Sequence, residues 1–248
     1  MQPIVDFVAK AQANDQPFFI WYGVYLPHTP HNAPERLYNK YKDIAPNPPT
    51  AKYWANVEWL DETCGELIDH LKEQGLYENT LFIYTCDNGW LQNPEKVGYS
   101  IRSKREATEM GIRTPIFVTH PGAIEPRREA EILASNIDVA TTILNACGIT
   151  PPAMMTGLDL RDPETLAKRD RIYVDVYNGR SNIDQLADLD AGLVARVVID
   201  GWNKLIARPK KSRLFDLKKD PDDRTDIAAS NPEKVKELSA LVEAWLNQ

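Results

Sequence analysis

The chain has 248 residues, of which 43% are hydrophobic and 26% are charged, a composition that excludes a disordered protein and allows one large domain or a large and a small one. Its net charge of −7 excludes the overall basic character by which proteins bind nucleic acids or anionic membranes. The three cysteines, Cys64, Cys86 and Cys147, show no CxxC spacing and indicate neither a zinc site nor a disulfide framework. Because there is no signal-peptide pattern and no apolar run long enough for a membrane span, we expect a soluble chain without a targeting segment.

The N-terminal region predicts a helix, a strand and a loop that carries histidines. Apolar residues recur at helical spacing over residues 3–13. The aromatic-rich run over residues 18–26 has the length and composition of a buried strand, and it leads into Pro-His-Thr-Pro-His at residues 27–31. Since open α/β sheets bind ligands beyond the carboxyl ends of their strands, His28 is a candidate site residue. The alternative is a loop histidine that hydrogen-bonds to the backbone.

The clearest helix is predicted over residues 50–74, with Gly75 as its stop. We interpret this helix as scaffold and its charged residues Glu58, Asp61 and Glu62 as solvated, with a paired-carboxylate site as the alternative. One apolar stripe runs along the helix and consists of Tyr53, Trp54, Val57, Leu60, Cys64, Leu67, Ile68 and Leu71.

A second apolar run, over residues 81–85, predicts a buried strand that delivers Asp87 and Asn88 to its carboxyl end. A carboxylate beside a carboxamide offers the hard oxygens that suit Ca²⁺ or Mg²⁺, and Gly89 lets the chain turn away sharply. The alternative is an ordinary strand-ending turn, because Asp-Asn-Gly is also favourable turn chemistry.

The polar loop over residues 90–103 follows a strand end, where recognition residues concentrate. Trp90, Tyr99 and Arg102 are therefore candidates for substrate contact, with packing of Trp90 on the strand end as the alternative. Lys104 comes next and would by itself be interpreted as solvated surface; its position relative to Asp87 makes it a candidate. A further short strand is predicted over residues 116–119.

The C-terminal third changes in character. A helix over residues 137–146 is capped by Ser135 or Asn136, and a loop through Gly157 marks the edge of the first domain. From residue 171 onward, short strands joined by turns predict a small antiparallel sheet, and an amphipathic helix over residues 232–246 covers one of its faces. We therefore predict a domain over residues 1–165 and a small α+β subdomain over 166–248.

The order of these motifs resembles the type I sulfatase family of the alkaline phosphatase superfamily. The matching motifs are the strand and Pro-His-x-Pro loop over 17–41, the helix and strand ending in Asp-Asn-Gly over 53–89, the Lys-x(4)-Glu-x-Gly-x-Arg-x-Pro stretch over 104–115, and the closing segments over 136–160 and 202–227. Each motif alone is weak, but their order and spacing extend across nearly the whole chain.

The resemblance implies a fold, a metal and roles for individual residues. It implies a mixed, mostly parallel wound α/β sheet with flanking helices, followed by the small antiparallel sheet with its helix. It makes Asp87 and Asn88 ligands of Ca²⁺, or of Mg²⁺ in its place. It makes His28 and Lys104 the residues that hold the sulfate oxygens of a sulfated small molecule or sulfated carbohydrate.

The departures from the family pattern concern the nucleophile. Family members carry a Cys-x-Pro-x-Arg or Ser-x-Pro-x-Arg stretch whose first residue is oxidised to formylglycine, and no cysteine of this chain begins such a pattern. Ser230 comes nearest, but Lys234 replaces the arginine and the segment is better explained as a helix N-cap. We therefore expect the chain to correspond to the C-terminal portion of a sulfatase, with the N-terminal segment of the same protein as its partner and with poor solubility when that segment is missing.

Two alternatives to a sulfuric ester hydrolase remain open at this point. One is a phosphodiesterase or phosphonate monoester hydrolase of the same superfamily, against which Asn88 argues because phosphatase relatives commonly have a histidine there. The other is a noncatalytic, anion-binding remnant. A periplasmic or secreted location would fit the resemblance.

Overall fold

The computed structural model describes residues 1–177, 192–208 and 211–246, and the chain divides into two compact units. The first unit consists of Met1–Thr80, Gln92–Ser100 and His120–Gly122, and the second of Leu81–Leu91, Ile101–Thr119 and Ala123–Gln248. The domain boundary between residues 165 and 166 stays a prediction.

The first unit is helical, with α1 over Gln2–Ala13, α2 over Glu35–Tyr41 and α3 over Pro48–Glu73. The side chain of Asn47 caps α3 by accepting a hydrogen bond from the Thr50 amide at 3.0 Å. Both predicted helices of this region are confirmed. The predicted stripe of α3 is buried only in part, because Leu60 and Leu71 are buried whereas Trp54 and Val57 are exposed. The other buried residues of the helix are Thr50, Ala51, Ala55 and Asn56.

Helices α2 and α3 are also joined by ion pairs. Arg36 binds Glu62 through two hydrogen bonds of 2.6 Å, and Lys40 binds Glu58. Arg36 holds the pKa of the Glu62 carboxyl below its usual range by hydrogen bonding. Of the three helix charges interpreted as solvated, Glu58 and Glu62 are therefore engaged in pairs between helices.

The predicted strand over residues 18–26 is wrong. This segment forms no ladder in the part of the chain that the structure describes, and its backbone closes only local turns, such as the bond from the Gly23 amide to the Trp21 carbonyl at 3.0 Å. A strand needs a neighbouring strand for its backbone groups, and composition alone cannot supply one. Three aromatic side chains of this segment consequently lie in solvent, because Phe19, Trp21 and Tyr25 are 60%, 87% and 69% exposed.

The second unit begins with strands β1, Phe82–Thr85, and β2, Ile116–Thr119, which pair antiparallel with Phe82 opposite Thr119. Helix α4, Glu109–Ile112, lies between the two strands in the chain, and helices α5, Ile137–Ala146, and α6, Pro163–Leu166, follow them. The predicted strand over 116–119 and the helix over 137–146 are confirmed.

A four-stranded antiparallel sheet in the order β3-β4-β5-β6 forms the C-terminal part, and α7, Pro232–Leu246, packs on one face of it. The strands run over Arg171–Tyr177, Leu193–Asp200, Asn203–Ala207 and Arg213–Asp216. Alternate residues separate its two cores: Val198 and Leu205 contact α7, whereas Val197 and Ile206 pack with Ala107 on the other face.

The α/β class with a small C-terminal antiparallel sheet and a helix is confirmed. The resemblance implied a mostly parallel sheet. Among the described strands, both the two-stranded and the four-stranded sheet are antiparallel. Within the described residues, no helix has both the length and the apolar character needed to cross a membrane.

Candidate functional site

The turn after β1 carries the predicted metal ligands. Asp87 is exposed and Asn88 is half-buried at the end of this strand. Asn136, at the start of α5, fixes the strand end: its amide donates to the Cys86 carbonyl at 2.9 Å and accepts from the Thr85 hydroxyl at 2.7 Å. The predicted cap residue of α5 therefore uses its side chain to hold the strand end that precedes Asp87.

Two glycines allow this turn to lie directly against the segment that follows Lys104. The Gly89 amide donates to the Gly111 carbonyl at 2.8 Å, and a Cβ on Gly89 would meet the Met110 carbonyl oxygen at 2.4 Å. A Cβ on Gly111 would meet the Glu106 carbonyl oxygen at 2.2 Å. Both positions therefore require glycine because backbone approaches backbone too closely for a side chain.

A second hydrogen bond joins the same two segments close to Lys104. The Leu91 amide donates to the hydroxyl of the buried Ser103 at 2.6 Å. Lys104 itself is half-buried, and its ammonium makes no hydrogen bond or ion pair with any residue that the structure describes. The turn with Asp87 and Asn88 and the loop with Lys104 are thus fastened together on both sides of Lys104.

The donor chemistry of the turn fits a hard cation in part. The Asp87 carboxylate forms no hydrogen bond within the described ranges, and the Asn88 amide nitrogen donates to the Gly89 carbonyl at 2.9 Å, which leaves the Asn88 amide oxygen available to a cation. Ca²⁺ takes about six to eight oxygen ligands, so these two residues provide only part of its shell. Across residues 1–177, 192–208 and 211–246, no group of three or more His, Cys, Asp and Glu side chains could complete a site.

The side chain of Arg102 is hydrogen-bonded within the protein. Its guanidinium Nη2 donates to the Asp223 carboxylate at 2.7 Å and to the main-chain oxygens of Asp223 and Asp222 at 2.8 and 3.1 Å. Its backbone has a positive φ of 60°. Trp90 follows Gly89 in the chain, and its side chain is half-buried. The roles of Arg102 and Trp90 as substrate contacts stay predictions.

His28 belongs to the first unit, where its imidazole is exposed on the Pro-rich loop before α2. Its Nδ1 lies 2.9 Å from the Thr29 carbonyl oxygen and 3.3 Å from the Thr29 hydroxyl, and the ring tautomer decides whether it donates to the first or accepts from the second. The loop is held by Asn56 of α3, whose side-chain oxygen accepts from the Ala33 amide at 2.9 Å and whose nitrogen lies 3.5 Å from the His28 carbonyl oxygen.

His31 differs from His28 in burial. Burial lowers the pKa of His31, with smaller contributions from the charges of His28 and Lys52. Its ring lies 5.4 Å from that of Tyr53 on α3. The neutral form of His31 is therefore favoured, which suits a residue that supports the loop.

Sequence reasoning missed a buried ion cluster behind the Lys104 loop. Lys204 of β5 is 0% exposed and donates to Glu109 at 2.7 Å and to Asp223 at 3.0 Å. Asp223 is also 0% exposed and accepts from Arg102 and from the Glu109 amide. We call Lys204, Glu109, Asp223 and Arg102 the Lys204 network. The signal in the sequence was a lysine beside the apolar residues Leu205 and Ile206 of the same strand.

Two family models match the chain. The model described as Sulfatase matches residues 1–149, and the model described as N-sulphoglucosamine sulphohydrolase, C-terminal, matches residues 98–248. The chain belongs to the sulfatase family. The predicted family is thereby confirmed, and the matches extend over the whole chain.

Curated relatives of this sulfatase family chain are themselves sulfatases. It is 28% identical to the N-acetylgalactosamine-6-sulfatase of Canis lupus familiaris over 64% of this chain and 31% of that protein. It is 26% identical to an Endo-4-O-sulfatase of Bacteroides thetaiotaomicron over 90% of this chain and 50% of that protein. The chain thus spans between about a third and a half of the length of these relatives.

Solved structures share its fold. The crystal structure of Ps i-CgsB in complex with k-i-k-neocarrahexaose superimposes with a TM-score of 0.78 at 20% identity, covering 98% of this chain and 53% of that one. The phosphonate monoester hydrolase SpPMH from Silicibacter pomeroyi gives a TM-score of 0.62 at 22% identity, covering 79% and 40%. The sulfatase fold is therefore shared with hydrolases of more than one ester class.

Proposed function

We propose that this chain is the portion of a sulfatase that binds a divalent metal ion and the sulfate group of a sulfated saccharide. The observation that carries the proposal is the pair of hydrogen bonds, Gly89 to Gly111 and Leu91 to Ser103, which fasten the turn bearing Asp87 and Asn88 to the loop bearing Lys104. The family match and the saccharide named with a solved relative support the substrate class.

Each of these residues has a role that its chemistry allows. Asp87 and Asn88 would hold Ca²⁺, or Mg²⁺ in its place, and the bound cation would supply positive charge to the sulfate ester oxygens. The ammonium of Lys104 has no internal partner among the described residues and donates to sulfate oxygens. A preorganised cationic donor of this kind is typically worth on the order of 10²–10³ in the rate of ester cleavage.

His28 would bind a sulfate oxygen through a ring N–H, because a ring nitrogen without a proton is an acceptor and cannot bind an anionic oxygen. Its Nδ1 lies against the oxygens of Thr29, which leaves Nε2 as the nitrogen that would face the ligand.

Calorimetric titration of the chain with N-acetylgalactosamine 6-sulfate tests the proposal. We expect binding in the presence of Ca²⁺, loss of binding in chelator, and at least about a tenfold weaker affinity in Lys104→Ala. Arg105→Ala is the matched control, because it removes the neighbouring, exposed cation of the same loop. Equal affinity for unsulfated N-acetylgalactosamine, or equal losses in both variants, would contradict the proposal.

The same titration separates the two alternative functions. A phosphonate monoester hydrolase would bind phenyl phosphonate in preference to the sulfated sugar, and the fold shared with such hydrolases motivates the comparison. A noncatalytic anion-binding protein would bind the sulfated sugar and release no inorganic sulfate from it. Sulfate release by the protein that contains this chain, measured by ion chromatography, distinguishes turnover from binding alone.

A further inference from the structure

Every second side chain along strand β5 contacts the segment that follows Lys104. Lys204 donates to Glu109, and Ile206 packs in one core with Ala107. Just beyond the strand, Arg208 pairs with Glu106 at 3.3 Å. Since every second residue of a strand shares a face, the C-terminal sheet contacts this segment through three consecutive positions of one strand face.

The charges in this contact are buried and mutually satisfied. Lys204 and Asp223 are 0% exposed and Glu109 is 5% exposed, yet each has a partner of opposite charge within 3.0 Å. A buried ion pair contributes little net stability compared with apolar packing, whereas its loss on one side is strongly unfavourable. Such a network is better suited to fixing one arrangement of the backbone than to stabilising the fold.

Lys104 lies between two points that this network holds. At one end, Arg102 is bound through its guanidinium to Asp223. At the other end, Glu109 is bound through its amide to Asp223 and through its carboxylate to Lys204. The intervening loop is closed by the Thr108 hydroxyl, which donates to the Arg102 carbonyl at 2.8 Å.

We propose that Lys204 is a positioning residue for sulfate binding, because it holds the loop that presents Lys104 from the C-terminal sheet. The inference rests on the proposed function of Lys104. It assigns the C-terminal sheet a part in the site, through a residue that does not contact the ligand.

The test compares Lys204→Met with a control variant of the same sheet. Leu238→Ala removes a buried side chain from the core on the opposite face, so it destabilises the sheet without touching the Lys104 loop. If Lys204→Met does not fold, Lys204→Met combined with Glu109→Gln removes both charges together, while Asp223 keeps its bond to Arg102. Measured quantities are amide hydrogen exchange of residues 103–112 and affinity for N-acetylgalactosamine 6-sulfate in Ca²⁺.

We expect exchange of residues 103–112 to be accelerated in the Lys204 variants and the affinity to fall at least about tenfold. Leu238→Ala should change neither quantity. Wild-type exchange rates in the Lys204 variants, or an equal loss of affinity in Leu238→Ala, would overturn the positioning role. Absence of saccharide binding by the wild-type chain would instead overturn the proposed function, so the two failures are distinguishable.

Discussion

At the scale of single residues, the closest constraint lies at Gly111, where a Cβ would stand 2.2 Å from the Glu106 carbonyl oxygen and 2.4 Å from that of Ser103. Gly111→Ala must therefore push the Lys104 loop away from its own backbone. We expect a loss of about 1–3 kcal/mol in the free energy of unfolding, measured by urea denaturation, together with weaker binding of the sulfated sugar.

Gly65 of α3 is the matched control for this substitution. A Cβ there meets no atom within 4 Å, and the position lies inside a helix. Gly65→Ala should consequently stabilise the chain by about 0.5–1 kcal/mol. If both alanine variants changed stability in the same direction, the steric explanation of Gly111 would be wrong.

The lowered pKa of His31 makes the free energy of unfolding depend on pH. Burial lowers its pKa in the folded chain, so the unfolded chain binds the proton more tightly. The stability contribution is complete above the unfolded pKa of about 6.5 and is lost as the pH falls towards the lower, folded pKa. His31→Asn should therefore show a smaller loss of stability than wild type between about pH 7.5 and about pH 5.5 in thermal unfolding scans.

The control for His31 is Lys52→Ala. Lys52 contributes less to the lowered pKa of His31 than burial does, so this variant should retain most of the acid sensitivity. A pH dependence in His31→Asn that matched wild type would show that another group controls the acid sensitivity.

Candidate site residues could be named from the sequence where a motif brings them together, whereas the residues of the Lys204 network could not. Asp87, Asn88 and Lys104 became candidates through the order and spacing of short motifs, each of which is weak alone. Lys204, Glu109 and Asp223 are far apart in sequence and meet only because β5 packs against the segment after Lys104. No local pattern indicates that a lysine in a strand has two buried carboxylates as partners.

At the scale of elements, α5 is held to the chain segment after it by a second buried ion pair. Arg169 makes two hydrogen bonds of 2.6 Å to Asp138, whose carboxylate is fully buried and also accepts from the Leu158 amide at 2.8 Å. Arg169→Met would leave a buried, uncompensated carboxylate. We expect it to lower the free energy of unfolding by about 3–5 kcal/mol in urea denaturation.

Arg224→Met provides the comparison for this ion pair. Arg224 pairs with Asp222 at 3.0 Å on the surface, where both side chains are exposed. Its loss should cost less than about 1 kcal/mol. Similar costs for the two variants would mean that the burial of Asp138 does not determine the effect.

The predicted helices and most of the predicted strands were confirmed, and the strand over residues 18–26 was not. Helices α1, α3, α5 and α7 follow from apolar spacing and stop signals, and strands β3 to β6 follow from short apolar runs joined by turns. Residues 18–26 have the composition of a strand but pair with no described strand. The buried face of α3 also differs in part from the predicted stripe, because Ala51, Ala55 and Asn56 are buried while Trp54 and Val57 are exposed.

At the scale of the whole molecule, the unpaired segment over residues 18–26 leaves large apolar side chains in water. Phe19 and Trp21 are 60% and 87% exposed within three positions of each other. Clustered exposed aromatic residues promote self-association, whereas single exposed apolar residues are ordinary. The double variant Phe19→Ser and Trp21→Ser should therefore bind less 8-anilinonaphthalene-1-sulfonate and show less concentration-dependent association in sedimentation velocity. Ile149→Ser and Met154→Ser remove two exposed apolar side chains elsewhere, and an equal decrease with that pair would show that residues 18–26 are not the cause.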